Sequence, residues 1–105
     1  MKRITLENFQ KEVMLNNKPV LLEFYGHFCP GCVQMAPILE QSESEYGNKI
    51  DFGIVDADQE EMLNTLLHVY DLPALLLFDN GKIVMNYAGF MPKSELDKRL
   101  EKYRD

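Results

Sequence analysis

Residues 20–25, Val-Leu-Leu-Glu-Phe-Tyr, form a nearly continuous apolar run of strand length, interrupted only by Glu23. A run of this composition requires a strand covered on both faces. Directly beyond it, Phe28-Cys29-Pro30-Gly31-Cys32 leads into a helical pattern over residues 33–46. Two cysteines three apart in the first turn of a helix share a face and are close enough to exchange a sulfur-sulfur bond. They are the only cysteines in the chain. A two-electron switch is therefore the first expectation.

The flanking segments read as one alternating series without repeats or linkers. Residues 2–4 give a short strand, and Thr5 caps a helix that buries Leu6, Phe9, Val13 and Met14 before Asn16-Asn17-Lys18-Pro19 stops it. The helix after the cysteines is expected to turn Val33, Met35, Ala36, Leu39 and Tyr46 inward, to kink at Pro37 and to end at Gly47-Asn48. Residues 50–55 read as a second covered strand, followed by a helix over residues 59–69 with Met62, Leu66 and Leu67 inward. Leu72-Pro73 breaks that helix. Strands at residues 74–79 and 83–88 flank Asn80-Gly81, the strongest short hairpin signal, and Pro92 opens a last helix carrying Leu96, Leu100 and Tyr103. The order is β-α-β-α-β-α-β-β-α, an α/β fold with a central mixed sheet and helices on both faces. The first three strands are expected to be parallel and the last two antiparallel. In such sheets ligands bind beyond the carboxyl ends of the parallel strands, where the cysteine pair falls.

A chain of 105 residues fits one domain, residues 1–105, burying roughly 60–70% of its unfolded surface without cross-links. A structural disulfide is not needed, and one closing so short a loop constrains little of the unfolded chain. The net charge of −6 argues against a nucleic-acid partner, because a phosphate backbone demands a basic patch. Met1-Lys2-Arg3 is not followed by the apolar core of an export signal, and no apolar run approaches bilayer length. The expectation is a cytoplasmic monomer with no membrane partner. In that compartment a close cysteine pair is more often catalytic or metal-binding than structural.

A bare C-x-x-C also serves zinc and iron-sulfur sites. Here further segments accompany it in order: Ala36-Pro37-Ile38-Leu39, Val55-Asp56-Ala57-Asp58, Leu72-Pro73 before Leu75-Leu76-Leu77-Phe78, and Asn80-Gly81 with Gly89 beyond. Over nearly its whole length the chain resembles the thioredoxin family. The resemblance implies the thioredoxin fold, dithiol-disulfide exchange, a cis peptide at Pro73 and a substrate groove lined by Pro73 and its neighbours. It departs from the family in having Pro30-Gly31 where Gly-Pro is common, Glu23 for a buried aspartate, Phe28 and Tyr25 for tryptophans, and Ile54 for a lysine that often faces the buried carboxylate.

Cys29 is the expected nucleophile, because a helix N-terminus favours the thiolate that attacks disulfides. Pro30 suits the first helical position, and Gly31 leaves room for a substrate sulfur at roughly 1 kcal/mol of helix propensity. Cys32 is the resolving thiol. Glu23, costly on a covered strand, is expected to have a raised pKa and to take the proton from Cys32. The bland alternative places Glu23 at a strand edge meeting water. With the resemblance in hand, the main chain of Leu72 pairs with an extended substrate, and Phe28, Pro30, Gly31, Leu72, Pro73 and Gly89 form the substrate surface. A metal site on Cys29, Cys32 and His27 lacks a clear fourth ligand and His68 falls on a remote helix, so neither metal nor cofactor is expected.

The expected activity is reduction of protein disulfides through a Cys29 mixed disulfide, with a separate reductase recharging the pair. Two alternatives stay open. Pro directly after the first cysteine resembles oxidising members of the superfamily, which points to an oxidase or isomerase of more oxidising poise. A module that only binds partners, with regulatory cysteines, is the other.

Overall fold

Five strands, β1 (Lys2–Arg3), β2 (Val20–Tyr25), β3 (Asp51–Asp56), β4 (Ala74–Asp79) and β5 (Lys82–Ala88), form one sheet in the order β1-β3-β2-β4-β5. The structure is a computed structural model and describes residues 1–104. The apolar run thus becomes the middle strand, as its composition requires. β1, β3 and β2 are parallel, while β4 runs antiparallel to β2 and β5 antiparallel to β4. The mixed sheet and the element order are those read from the sequence.

Four helices, α1 (Leu6–Phe9), α2 (Pro30–Tyr46), α3 (Glu61–Leu66) and α4 (Lys93–Leu100), cover the two faces. Alternation along β2 sends Val20, Leu22 and Phe24 into a core with Phe9, Val13 and Leu63. Leu21 points the other way, into a core with Met35, Leu39, Leu96 and Leu100.

Local chemistry explains the boundaries. Thr5 caps α1 with a reciprocal box: its hydroxyl accepts from the Asn8 N–H at 3.4 Å and its own N–H donates to Asn8 Oδ1 at 2.8 Å. α1 then widens into a π-helical turn over Gln10–Met14. Asn16 ends it, donating to Asp51 Oδ2 at 2.7 Å and accepting from the Lys18 N–H at 2.9 Å. At the hairpin Asn80 (φ 52°) and Gly81 (φ 76°) both take the left-handed conformation that a two-residue primed turn requires. Beyond α4 a 3₁₀ turn (Glu101–Tyr103) brings the Tyr103 hydroxyl to Asp79 Oδ2 at 3.0 Å, tying the last helix to that hairpin.

The structure corrects several inward-facing expectations. α3 is shorter than read and presents Leu63 to the sheet, leaving Met62 and Leu66 71% and 59% exposed. Leu63 and Leu67 are one turn apart and share the inward face, so the equally apolar pair Met62 and Leu66 lies about 100° round the helix. Val33 and Ala36 of α2 and Met14 face outward for the same reason of register. No helix among the described residues is long and apolar enough to cross a membrane.

Candidate functional site

β2 ends at Tyr25, and a short loop delivers Cys29 as the N-cap of α2 with extended backbone (φ −134°, ψ 94°). Pro30 occupies the first helical position, where its missing donor costs nothing. Cys29 and Cys32 are joined in a disulfide with Cα atoms 5.2 Å apart. The N–H of Cys32 donates to Cys29 Sγ at 3.2 Å, so a first-turn amide is aimed at that sulfur. Cys29 is partly exposed, whereas Cys32 is 7% exposed. One sulfur-bearing residue is therefore open to solvent and the other faces the core.

The loop before Cys29 is held from the neighbouring strand end. The His27 N–H donates to Asp58 Oδ2 at 2.9 Å, and His27 Nε2 lies 3.4 Å from Asp56 Oδ2 and 3.7 Å from Asp58 Oδ2. These three residues are a metal-capable group, with ligand atoms within 4.8 Å of one another. The Arg3 guanidinium, 3.4 Å from the buried Asp56 Oδ2, already supplies positive charge there. The group uses His27 but neither cysteine.

Opposite the cysteines, the peptide bond between Leu72 and Pro73 is cis. A Cβ on Gly31 would stand 2.9 Å from Pro73 Cδ, so the helix start and the proline are in contact because position 31 is glycine. The Pro73 carbonyl accepts from the Gly89 N–H at 2.7 Å, and Gly89 has φ +106°, a conformation that favours glycine.

Glu23 lies in the sheet interior at 5% exposure, between Ile54 of β3 and Leu75 of β4. Strand alternation puts it on the face of Leu21, beneath α2. Its Oε2 is buried without a hydrogen-bond partner among the described residues. Burial away from water pushes its pKa up from the ordinary 4.5 to about 7. The position beside it in register is Ile54, which brings no cation to offset that burial. Glu23 thus lies inside the sheet with a carboxyl that titrates near neutrality, and the strand-edge alternative does not hold.

A cavity of about 420 Å³ opens beside the disulfide, with Phe28, Cys29, Pro30 and Gly31 on one wall and Tyr70, Asp71 and Leu72 on the other. Phe28 is fully exposed at its rim. Of the residues expected from sequence, Phe28, Pro30, Gly31 and Leu72 line this space with Cys29. Pro73 abuts Gly31, Gly89 stands one hydrogen bond behind Pro73, and Cys32 and Glu23 lie toward the core. Sequence reasoning missed Tyr70 and Asp71 altogether and gave Asp58 no place in the site. Nothing in local periodicity marks loops that converge only in space.

The family model described as Thioredoxin matches residues 1–102. The chain is 36% identical over 92 residues to "Thioredoxin C-2" of Corynebacterium nephridii, covering 88% of this chain and 85% of that one. It is 30% identical over 97 residues to "Thioredoxin" of Alicyclobacillus acidocaldarius subsp. acidocaldarius, with 92% and 91% covered. "Thioredoxin Y, chloroplastic" of Oryza sativa subsp. japonica is 29% identical over 100 residues, covering 95% of this chain and 60% of that protein.

Proposed function

The chain belongs to the thioredoxin family and is a thiol-disulfide oxidoreductase that reduces protein disulfides, and we propose that Cys29, Cys32 and Glu23 carry the reaction. The observation behind this assignment is the unequal burial of two joined sulfurs at the start of α2.

In the reduced protein the Cys29 thiolate attacks a substrate disulfide; a Cys29–substrate bond forms, the substrate bond breaks and one substrate thiolate leaves. Cys32 then gives its proton to the Glu23 carboxylate and attacks Cys29 Sγ. The Cys29–Cys32 bond forms as the mixed disulfide breaks, and the second substrate thiol is released. Two electrons pass to the substrate and the protein ends in the disulfide form. The main chain of half-buried Leu72, just before buried Pro73, pairs with an extended substrate segment, while Phe28, Pro30, Gly31 and the turn of Gly89 shape the groove. A reductase recharges the pair. The whole chain acts as one monomeric domain in the cytoplasm, a reducing compartment where such a pair cycles rather than persists as a cross-link.

Reduction of insulin by dithiothreitol tests this reading. The wild-type protein is expected to accelerate it and Cys29→Ser to lose the acceleration; equal rates for the two would overturn it. Cys32→Ser is expected to accumulate substrate joined to Cys29. A second reading rests on Pro30 directly after Cys29 and gives a more oxidising poise than thioredoxins with Gly-Pro between the cysteines. A glutathione redox titration finding an equal or more reducing potential removes it.

A further inference from the structure

Among the residues lining the cavity beside the disulfide, the charged or titratable side chains other than Cys29 and Tyr70 are Asp58, Asp71 and His27, and none is lysine or arginine. Asp71 is exposed and makes no hydrogen bond or ion pair among the described residues. Asp58 holds the His27 N–H through Oδ2. A Cβ built on Gly26 would lie 2.9 Å from Leu72 Cδ1 and 3.5 Å from Asp58 Oδ1, so Leu72 and the Asp58 carboxylate both border Gly26 at this opening. His27 is turned toward the buried Asp56 at 3.4 Å. Two aromatic side chains, fully exposed Phe28 and largely exposed Tyr70, flank the same opening and offer faces to a cation.

We propose that this protein prefers disulfides whose attacked cysteine is flanked by lysine or arginine in an extended protein segment, and that Asp58 and Asp71 create the preference. The proposal rests on the reductase reading of the site. Bound through Leu72, a substrate strand carries its neighbouring side chains over an opening lined by two carboxylates, Asp58 and Asp71, with no lysine or arginine among its lining residues. Charge complementarity of this kind chiefly raises the rate of productive encounter and suppresses wrong partners. Segments rich in aspartate or glutamate meet like charge there and are disfavoured.

The test is a single-turnover reaction of the pre-reduced full chain with two disulfide peptides differing only in arginine or glutamate beside the attacked cysteine. Arginine also attracts any thiolate to a neighbouring disulfide and raises its reactivity, so each ratio is divided by that for dithiothreitol alone. At low salt the corrected arginine-to-glutamate ratio is expected to be about five- to tenfold. It should fall to within about twofold at roughly 0.5 M salt, where the screening length is about 4 Å. Asp71→Asn, at an exposed site without partners, should cut the ratio about two- to threefold, as should Asp58→Asn, and Asp71→Lys should cut it further. A corrected ratio near one, or one that neither Asn variant moves, would overturn the proposal alone. Failure of the protein to reduce either peptide would overturn the reductase reading beneath it.

Discussion

Toward α1 and α3, the buried side chains of β2 are Val20, Leu22 and Phe24, and toward α2 and α4 they are Leu21 and Glu23. Leu22 and Glu23 are adjacent in sequence and almost equally hidden from water, at 0% and 5% exposure. Burial of Leu22 stabilises the fold, whereas burial of Glu23 with an unpaired oxygen opposes it. The difference teaches that the strand tolerates a destabilised carboxyl beneath the helix that presents the cysteines, which is where the proposed resolving step would use a proton acceptor near pH 7. Among the described residues the Ser42 hydroxyl of α2 is likewise buried without a partner, and on the opposite face so is Asn64 Oδ1 of α3.

Substitutions on each face separate chemistry from stability. Glu23→Gln should slow resolution of the mixed disulfide by about 100-fold, so that rapid-quench experiments catch substrate on Cys29; an unchanged single-turnover rate would sink the role of Glu23. Leu22→Ala should cost about 3 kcal/mol in urea unfolding while leaving the turnover of the folded fraction within about twofold. A large loss of turnover there would erase the contrast between the faces.

The third expectation concerns pH. The folded protein keeps a proton on Glu23 up to about pH 7, whereas the unfolded chain releases it near 4.5, so the folded state binds more protons in that window. Stability from this group is fully present below about pH 4.5 and is lost as pH rises through about 7, a fall of about 3 kcal/mol. Urea unfolding at several pH values should show that fall in the wild-type protein and a flatter profile in Glu23→Gln. The smallest effect is Ser42→Ala, which removes an unpaired buried hydroxyl and should stabilise by about 1 kcal/mol. A loss of stability would mean that the hydroxyl has a partner after all.

Signals carried by contiguous residues were readable in advance. The uninterrupted run of β2, the Thr5 cap, the Asn80-Gly81 turn and the position of Cys29 at a helix start each depend on a few neighbours, and each stands where the sequence puts it. Glu23 was legible as an anomaly, because one carboxylate in an apolar run is informative in itself. Outward Met62 and Leu66 were not, since an apolar pair one turn apart looks the same on either side of α3. The cis bond before Pro73 followed only from the family resemblance. Asp58 and Asp71 escaped because they leave different elements and meet only above the sheet.

The place of β2 in the sheet has a consequence for motion. Its backbone is paired with β3 on one side and β4 on the other, so its central amides should exchange hydrogen with solvent only when the whole domain opens. The opposite wall, residues 70–73, is no strand, and its Pro73 carbonyl accepts from the N–H of Gly89, just past the end of β5. Its amides should exchange sooner, through local opening. The Cys29 sulfur thus lies one short loop beyond the strand expected to open last, and the loop facing it across the groove is expected to yield first.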